Sequence, residues 1–326
     1  MEMDNLKIND INAMIRIAKK YYEMNMSQEE ISLEEDISKS SVSRILKKAQ
    51  TLGYVRHEII YPIKSVAQQE QLIKQIFDIE HLFIVPKIVD NKDIRLADTC
   101  RLVAQELNRL IVDNDIISVS WGNTMDKLSA LLVPPTPPKK GIKIVQLNGS
   151  IATNILSTKT ASILERFTEA YTGIGYMLAA PVLVDDKEIA DAIKRDSRIR
   201  SVLDMARSAN IAIFSIGQLS NQSVLIERGA ITLDDMNNLL AEGAVGDICS
   251  RYVDIHGHLV DAGYDARTIG IELDELKKKK MRIGVAVGAE KADAVIGVLS
   301  GGYLTSLYMD EITAASVLKR CEELGL

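Results

Sequence analysis

No apolar run in this chain reaches the about 20 residues that a membrane-spanning helix needs. The acidic N-terminus lacks the basic-then-apolar plan of a secretion signal. Cysteine is sparse: Cys100, Cys249 and Cys321 are isolated and odd in number. They form no CxxC pair and no disulfide framework, which favours a cytoplasmic location. G-x-S-x-G, Walker A, zinc and G-x-G-x-x-G motifs are all missing. Without those compact signatures no catalytic residue, cofactor or metal is expected. His256 and His258 form an H-x-H pair, but DIHGHLVD reads better as a hairpin turn than as a metal site. His57 and His81 read as structural. Basic excess is lacking too. The net charge is −6, so any contact with nucleic acid must be local. What remains is ordinary for a globular protein, with 47% hydrophobic and 26% charged residues, and 326 residues leave room for two domains.

The most informative stretch is Ser27 to Gly53, SQEEISLEEDISKSSVSRILKKAQTLG. Ser27 and Glu30 form an S-x-x-E capping box, which starts a helix at Gln28. Ser38 can cap a second helix. In it Val42, Ile45, Leu46 and Ala49 keep helical spacing and share a buried face. Gly53 stops it. The other faces carry Lys39, Ser40, Ser41, Ser43, Arg44, Lys47 and Lys48. Ile11, Met14, Ile15, Ala18 and Tyr22 mark a supporting helix ahead of the pair, and Tyr54–Ile59 has room for a short β wing.

Charge divides the module. Ser38 to Arg56 holds five Lys or Arg and no acid, whereas Glu23 to Asp36 holds six acids and no base. A phosphate backbone attracts the first segment and repels the second, which orients the module on DNA. A solvated basic helix in a plain three-helix bundle is the competing reading. The hydroxyl-rich start of the second helix counts against it.

From Pro62 the character changes. Val66–Phe77 is Gln-rich with helical spacing, a linker or pairing helix. Apolar strands follow at His81–Val85, Ile116–Ser120, Ile142–Leu147, Ile211–Ile216, Met281–Val287 and Tyr303–Met309. Helical stretches lie between them at Ile94–Val112, Ser157–Tyr171, Lys187–Asn210, Ala289–Gly297 and Asp310–Leu324. Such alternation predicts a mostly parallel, Rossmann-like α/β sheet covered on both faces. The expected division is an all-α helix-turn-helix domain over 1–61 and an α/β domain over 62–326. Pro134–Pro138 reads as a stiff surface loop, and the tetralysine Lys277–Lys280 as a solvated turn.

Ligands of such sheets bind beyond the carboxyl ends of the strands. There the sequence places Trp121-Gly122-Asn123-Thr124, Asn148-Gly149-Ser150, Gly217-Gln218 and Gly288-Ala289-Glu290-Lys291. Glycine lets backbone approach a ligand, and amides at a helix start suit an anion such as phosphate. Together these turns suggest a site for a polar, anionic metabolite.

The order and spacing of several blocks carry a resemblance that covers essentially the whole chain. They are SQEEI, ISKSSVSRILKKAQTLGYV, SVSWGNTM, VQLNGS, NIAIFSIG, AVGDICSRYVD, RTIGIELDEL and VAVGAEKADAVIGVLSGGYLTSLYMDE. The chain resembles the SorC/DeoR family of bacterial sugar-binding transcriptional regulators, and most of all its Bacillus-type deoxyribonucleoside branch. The resemblance implies operator binding through the helix-turn-helix, a phosphorylated sugar as effector, and assembly as dimers or tetramers. It also implies a non-catalytic effector domain related in fold to sugar-phosphate isomerases. Carried over by position, Gly122, Asn123 and Thr124 would hold the phosphate and Asn148 and Gly149 the sugar. Arg228, Asp247 and Lys291 would complete the pocket, with the polar turn at Gln218 beside them.

Two departures from the family pattern stand out. In the deoxyribonucleoside branch a lysine after VQL forms a Schiff base with the open-chain sugar. Here that position is Asn148, which has no amine, so covalent capture there is excluded. Before the I-S of the turn, members usually carry leucine and glycine; here these are Glu35 and Asp36. Leu33 is then expected to take over the packing. The two surviving functional classes are a ligand-controlled transcription factor and a sugar-phosphate isomerase or deaminase with an added interaction domain. The second needs a general base, for which Asp247 is the candidate.

Overall fold

The computed structural model describes residues 8–55, 66–151, 159–219 and 231–326. The chain divides into two compact units, Met1–Tyr61 and Pro62–Leu326.

Among the described residues of the first unit three helices are formed: α1 (Ile8–Tyr22), α2 (Gln28–Glu34) and α3 (Lys39–Thr51). Their faces meet in a small core of Met14, Ile17, Ala18, Ile31, Val42, Leu46 and Ala49. The predicted stripe on α1 is turned slightly, because Ile17 is buried while Ile15 is 38% exposed. Leu33 does not take over packing at the turn; it is 80% exposed. The expected β wing over Tyr54–Ile59 lies outside the described residues from Arg56 on, His57 included.

In chain order the second unit contains α4 (Ala67–Ile76), β1 (His81–Val85), α5 (Lys92–Leu110), β2 (Ile116–Val119), α6 (Asn123–Ala130), β3 (Lys143–Gln146) and α7 (Thr160–Ala170). Next come β4 (Ile174–Tyr176), α8 (Lys187–Arg195), α9 (Ser197–Ser208), β5 (Ile211–Gln218), α10 (Leu233–Ala241), β6 (Gly246–Ile248), β7 (Arg251–Val253) and α11 (Ala262–Arg267). The unit ends with α12 (Leu273–Lys277), β8 (Met281–Ala286), α13 (Ala292–Ser300), β9 (Ser306–Asp310) and α14 (Glu311–Leu324).

Parallel strands run in the order β1-β9-β8-β5-β2-β3-β4, and β6 and β7 add an antiparallel ribbon to the far end of β5. Both faces of the sheet are covered. Along β5, Ile211 and Ile213 belong to one core, and Ala212, Phe214 and Ile216 to the other. This two-sided burial explains why the strands read as unbroken apolar runs. The chain order reverses between β2 and β5: β3 and β4 lie on one side, β8 and β9 on the other. A crevice opens where such a reversal occurs.

Several expectations need correction. Val66–Phe77 is not a linker, since Val66, Ile73 and Phe77 are buried in the sheet's own core. Lys187–Asn210 is two helices. Asp196 ends α8 and caps α9, accepting the N–H groups of Arg198 and Ile199. The tetralysine turn is not wholly solvated, because Lys279 is 3% exposed. Its ammonium donates to the carbonyls of Ala206, Arg207 and Ala209 and so closes the end of α9.

Candidate functional site

The first candidate surface is α3. Ser27 caps α2 in a complete capping box with Glu30. The chain then turns through Asp36, at φ 51, into Ser38, whose hydroxyl accepts the Ser41 N–H at 3.1 Å. Val42, Leu46 and Ala49 face inward. Lys39, Ser40, Ser43, Arg44, Lys47 and Lys48 are exposed, and Ser41 is half-buried. Ser41 accepts a hydrogen bond from Arg44 at 3.1 Å, which sets the direction of that guanidinium. Glu35, at the position that resembled a packing leucine, is held by α1. Arg16 reaches it at 2.7 Å and Lys20 at 2.7 Å. The Arg16 hydrogen bond, then that of Lys20, lowers its pKa to about 2. An ion pair thus replaces an apolar contact at this turn.

The second candidate is a cavity of about 480 Å³ in the crevice between β2 and β5. That volume suits a small metabolite. One wall is Gly122, Asn123 and Thr124, at the start of α6. Gly122 lies at φ 122, a conformation side chains rarely adopt, and no side chain caps this helix. Its first N–H groups are left without a side-chain partner, and such helix starts favour negative charge. Lys291, in the short turn before α13, also lines the cavity and donates to the Ile216 carbonyl at 2.7 Å. Burial, then the nearby Lys92, pulls its pKa down to about 8.

Asp247 enters from β6. It accepts the Ser250 N–H at 3.0 Å, and burial pushes its pKa up. Asn148 follows β3. The backbone of Gly270 pairs with it, and Arg251, 1% exposed, fixes that strap by donating to the carbonyls of Gly270 and Ile271. Gln218, at the end of β5, completes this side. Ion-paired Lys92 and Glu290 also line the cavity.

The cavity thus gathers Gly122, Asn123, Thr124, Asn148, Gln218, Asp247 and Lys291. Gly149 stands behind it: its carbonyl accepts the Trp121 indole N–H at 2.7 Å, and a Cβ there would strike the Pro181 backbone. Arg228 lies outside the described residues. Sequence reasoning missed Ser120, Ser215, Cys249 and Ser250, which also line the cavity. Ser120 and Ser215 sit at ends of apolar runs, where a small polar residue was the available signal. His256 and His258 lie in the turn after β7, their N–H groups donating to Asp254.

A capped helix pair with a basic outer face, joined in one chain to a sheet whose reversal point holds an anion-ready cavity, defines the class of ligand-responsive transcriptional regulators. Residues 61–319 match the family described as "Putative sugar-binding domain". The deoxyribonucleoside regulator of Bacillus subtilis (strain 168) is 30% identical over 93% of this chain and 96% of its own length. The sorbitol operon regulator of Klebsiella pneumoniae is 28% identical over 95% and 99%. The crystal structure of full-length SorC from Klebsiella pneumoniae superposes with a TM-score of 0.75 at 26% identity, covering 95% of this chain and 99% of that one. The chain belongs to the SorC/DeoR family of sugar-binding transcriptional regulators. Among the described residues no helix is long and apolar enough to cross a membrane.

Proposed function

We propose that this protein is a repressor of a carbohydrate or nucleoside catabolic operon, controlled by a phosphorylated sugar held non-covalently in the cavity. The observation that carries the reading is the pairing of the uncapped start of α6 with the half-buried Lys291 in one cavity. Oriented N–H groups and an ammonium are what a phosphate requires. The sugar end then meets Asn148, Gln218 and Asp247. Asn148 offers an amide and no amine, so capture at that position is by hydrogen bonding.

The exposed face of α3 serves as the DNA reader. Its N-terminal residues Lys39, Ser40, Ser41, Ser43 and Arg44 suit base edges, while Lys47 and Lys48 suit phosphates. One such helix reads a few base pairs, so operator specificity calls for at least a dimer on paired half-sites. The effector acts by binding DNA-competent and incompetent arrangements with different affinity.

The test is fluorescence anisotropy on DNA from around its own gene, with pentose and hexose phosphates and the matching free sugars. Release of DNA by a sugar phosphate, and not by its free sugar, is the expected result. Equal responses to both would overturn the phosphate reading.

A further inference from the structure

The cavity has a second chemical character that the phosphate does not use. Three wall residues carry polar atoms without a hydrogen-bond partner among the described residues: Ser120 Oγ, Asn148 Oδ1 and Gln218 Oε1. Ser120 is 4% exposed and Asn148 2%. Leaving such atoms unpaired is costly, and in a cavity wall they call for a partner from ordered water or a ligand.

Each is held where it is by the fold. Ser120 continues β2, its N–H donating to the Ile213 carbonyl at 3.0 Å. The Asn148 carbonyl accepts Gln146 Nε2 at 2.6 Å, and Gly270 packs against its Cα. Its amide nitrogen points to Ser250 Oγ at 3.4 Å, leaving the amide oxygen as the unsatisfied atom. Asp247 adds a half-buried carboxyl group whose Oδ2 takes the Ser250 N–H. The floor is therefore rich in acceptors: two amide oxygens, a carboxylate and a hydroxyl that can turn either way.

An acceptor-rich floor is matched by donors. Among sugar-like groups a hydroxyl can donate to these atoms, while a free aldehyde or ketone oxygen only accepts and leaves them unpaired. On the reading that the ligand is a phosphorylated sugar, we propose that Ser120, Asn148, Gln218 and Asp247 select a ligand by its hydroxyls. The preferred effector is then a fully hydroxylated sugar phosphate, in ring or alditol form, over a deoxy one, and Ser120 is a specificity-determining residue of the site.

Calorimetry on the full-length protein tests this with four probes: inorganic phosphate, ribose 5-phosphate, 2-deoxyribose 5-phosphate and ribitol 5-phosphate. Glucose 6-phosphate and its 2-deoxy counterpart extend the series. In at least one pair the hydroxylated compound should bind about tenfold or more tighter than the deoxy one, the scale of one well-placed hydrogen bond. Ribitol 5-phosphate, which has no carbonyl, should keep most of the affinity of ribose 5-phosphate. Ser120→Ala and Asn148→Leu should erase the difference within the pair while leaving inorganic phosphate binding unchanged. Asn148→Leu could disturb the Gly270 strap, so the milder Ser120→Ala, checked by its melting curve, decides. Equal affinity in every hydroxylated and deoxy pair, with phosphate still bound, overturns this inference and leaves the phosphate reading standing. If none of the phosphates binds, the phosphate reading falls and this inference with it.

Discussion

The carboxylate of Asp247 occupies the space that a side chain on Gly217 would need, and the two residues face each other across β5 and β6. A cavity-lining glycine and a half-buried acid are thus one unit. Gly217→Ala should push the carboxylate out of its place, with an overpacking cost of about 1–3 kcal/mol. Titrating the variant with sugar phosphates should show a large loss of affinity, while its DNA binding without effector stays intact. Unchanged effector affinity would mean that Asp247 takes no part in the site.

The face of α3 makes a separate prediction. Arg44→Ala should cost about 1–3 kcal/mol on the specific operator if the guanidinium reads a base, and should leave random DNA nearly unaffected. Lys48→Ala should weaken all sequences alike and flatten the dependence on salt. Binding curves at several salt concentrations separate the two. A shortened chain starting near Pro62 should lose operator binding altogether.

Lys291 gives the cavity a pH profile. Its pKa is pulled from 10.5 to about 8, so in the empty protein the ammonium is charged below that value and progressively neutral above it. A phosphate binds the charged form. Affinity should therefore hold near pH 7 and fall above about 8, approaching tenfold per pH unit. Lys291→Met should remove the profile, weaken sugar phosphates far more than free sugars, and abolish the response to the metabolite without affecting DNA binding. Isothermal titration between pH 7 and 9 checks each point.

Glu35 gives the first unit an acid sensitivity. Its pKa is lowered from 4.5 to about 2 by Arg16 and Lys20. The depressed value belongs to the folded state, so the stabilisation is complete above pH 4.5 and is lost as pH falls towards 2. Thermal melting of the wild type should drop across that window. Glu35→Gln should melt lower at neutral pH and change less on acidification.

How far these features could be read from sequence depended on how local their causes are. The caps at Ser27 and Ser38 act within three residues, so α2 and α3 could be placed almost to the residue. Long apolar strands declared themselves in the same way. The β6–β7 ribbon did not. Its turn is built from Cys249 and Ser250 at φ 53 and 69, without the Asn-Gly or Asp-Gly signal that such turns usually carry. The break at Asp196 interrupts a continuous helical pattern with one residue. Glu35 is invisible as a packing residue until α1 brings two cations to it. Ser120 looked like the last residue of a strand, and its place in the cavity depends on β5, which comes more than ninety residues later in the chain.

The residues around the cavity come from the ends of separate strands: Ser120 follows β2, Asn148 follows β3, Gln218 ends β5, Asp247 lies in β6 and Lys291 comes after β8. None of these side chains is needed to hydrogen-bond the parallel ladder together. In evolutionary terms the site is modular. On the proposed reading, exchanging one of these positions would alter a single ligand contact and leave the ladder beneath it intact. Relatives at 28% and 30% identity carry names as different as a sorbitol operon regulator and a deoxyribonucleoside regulator, and on the proposed reading these few strand-end positions are where such a difference would be written.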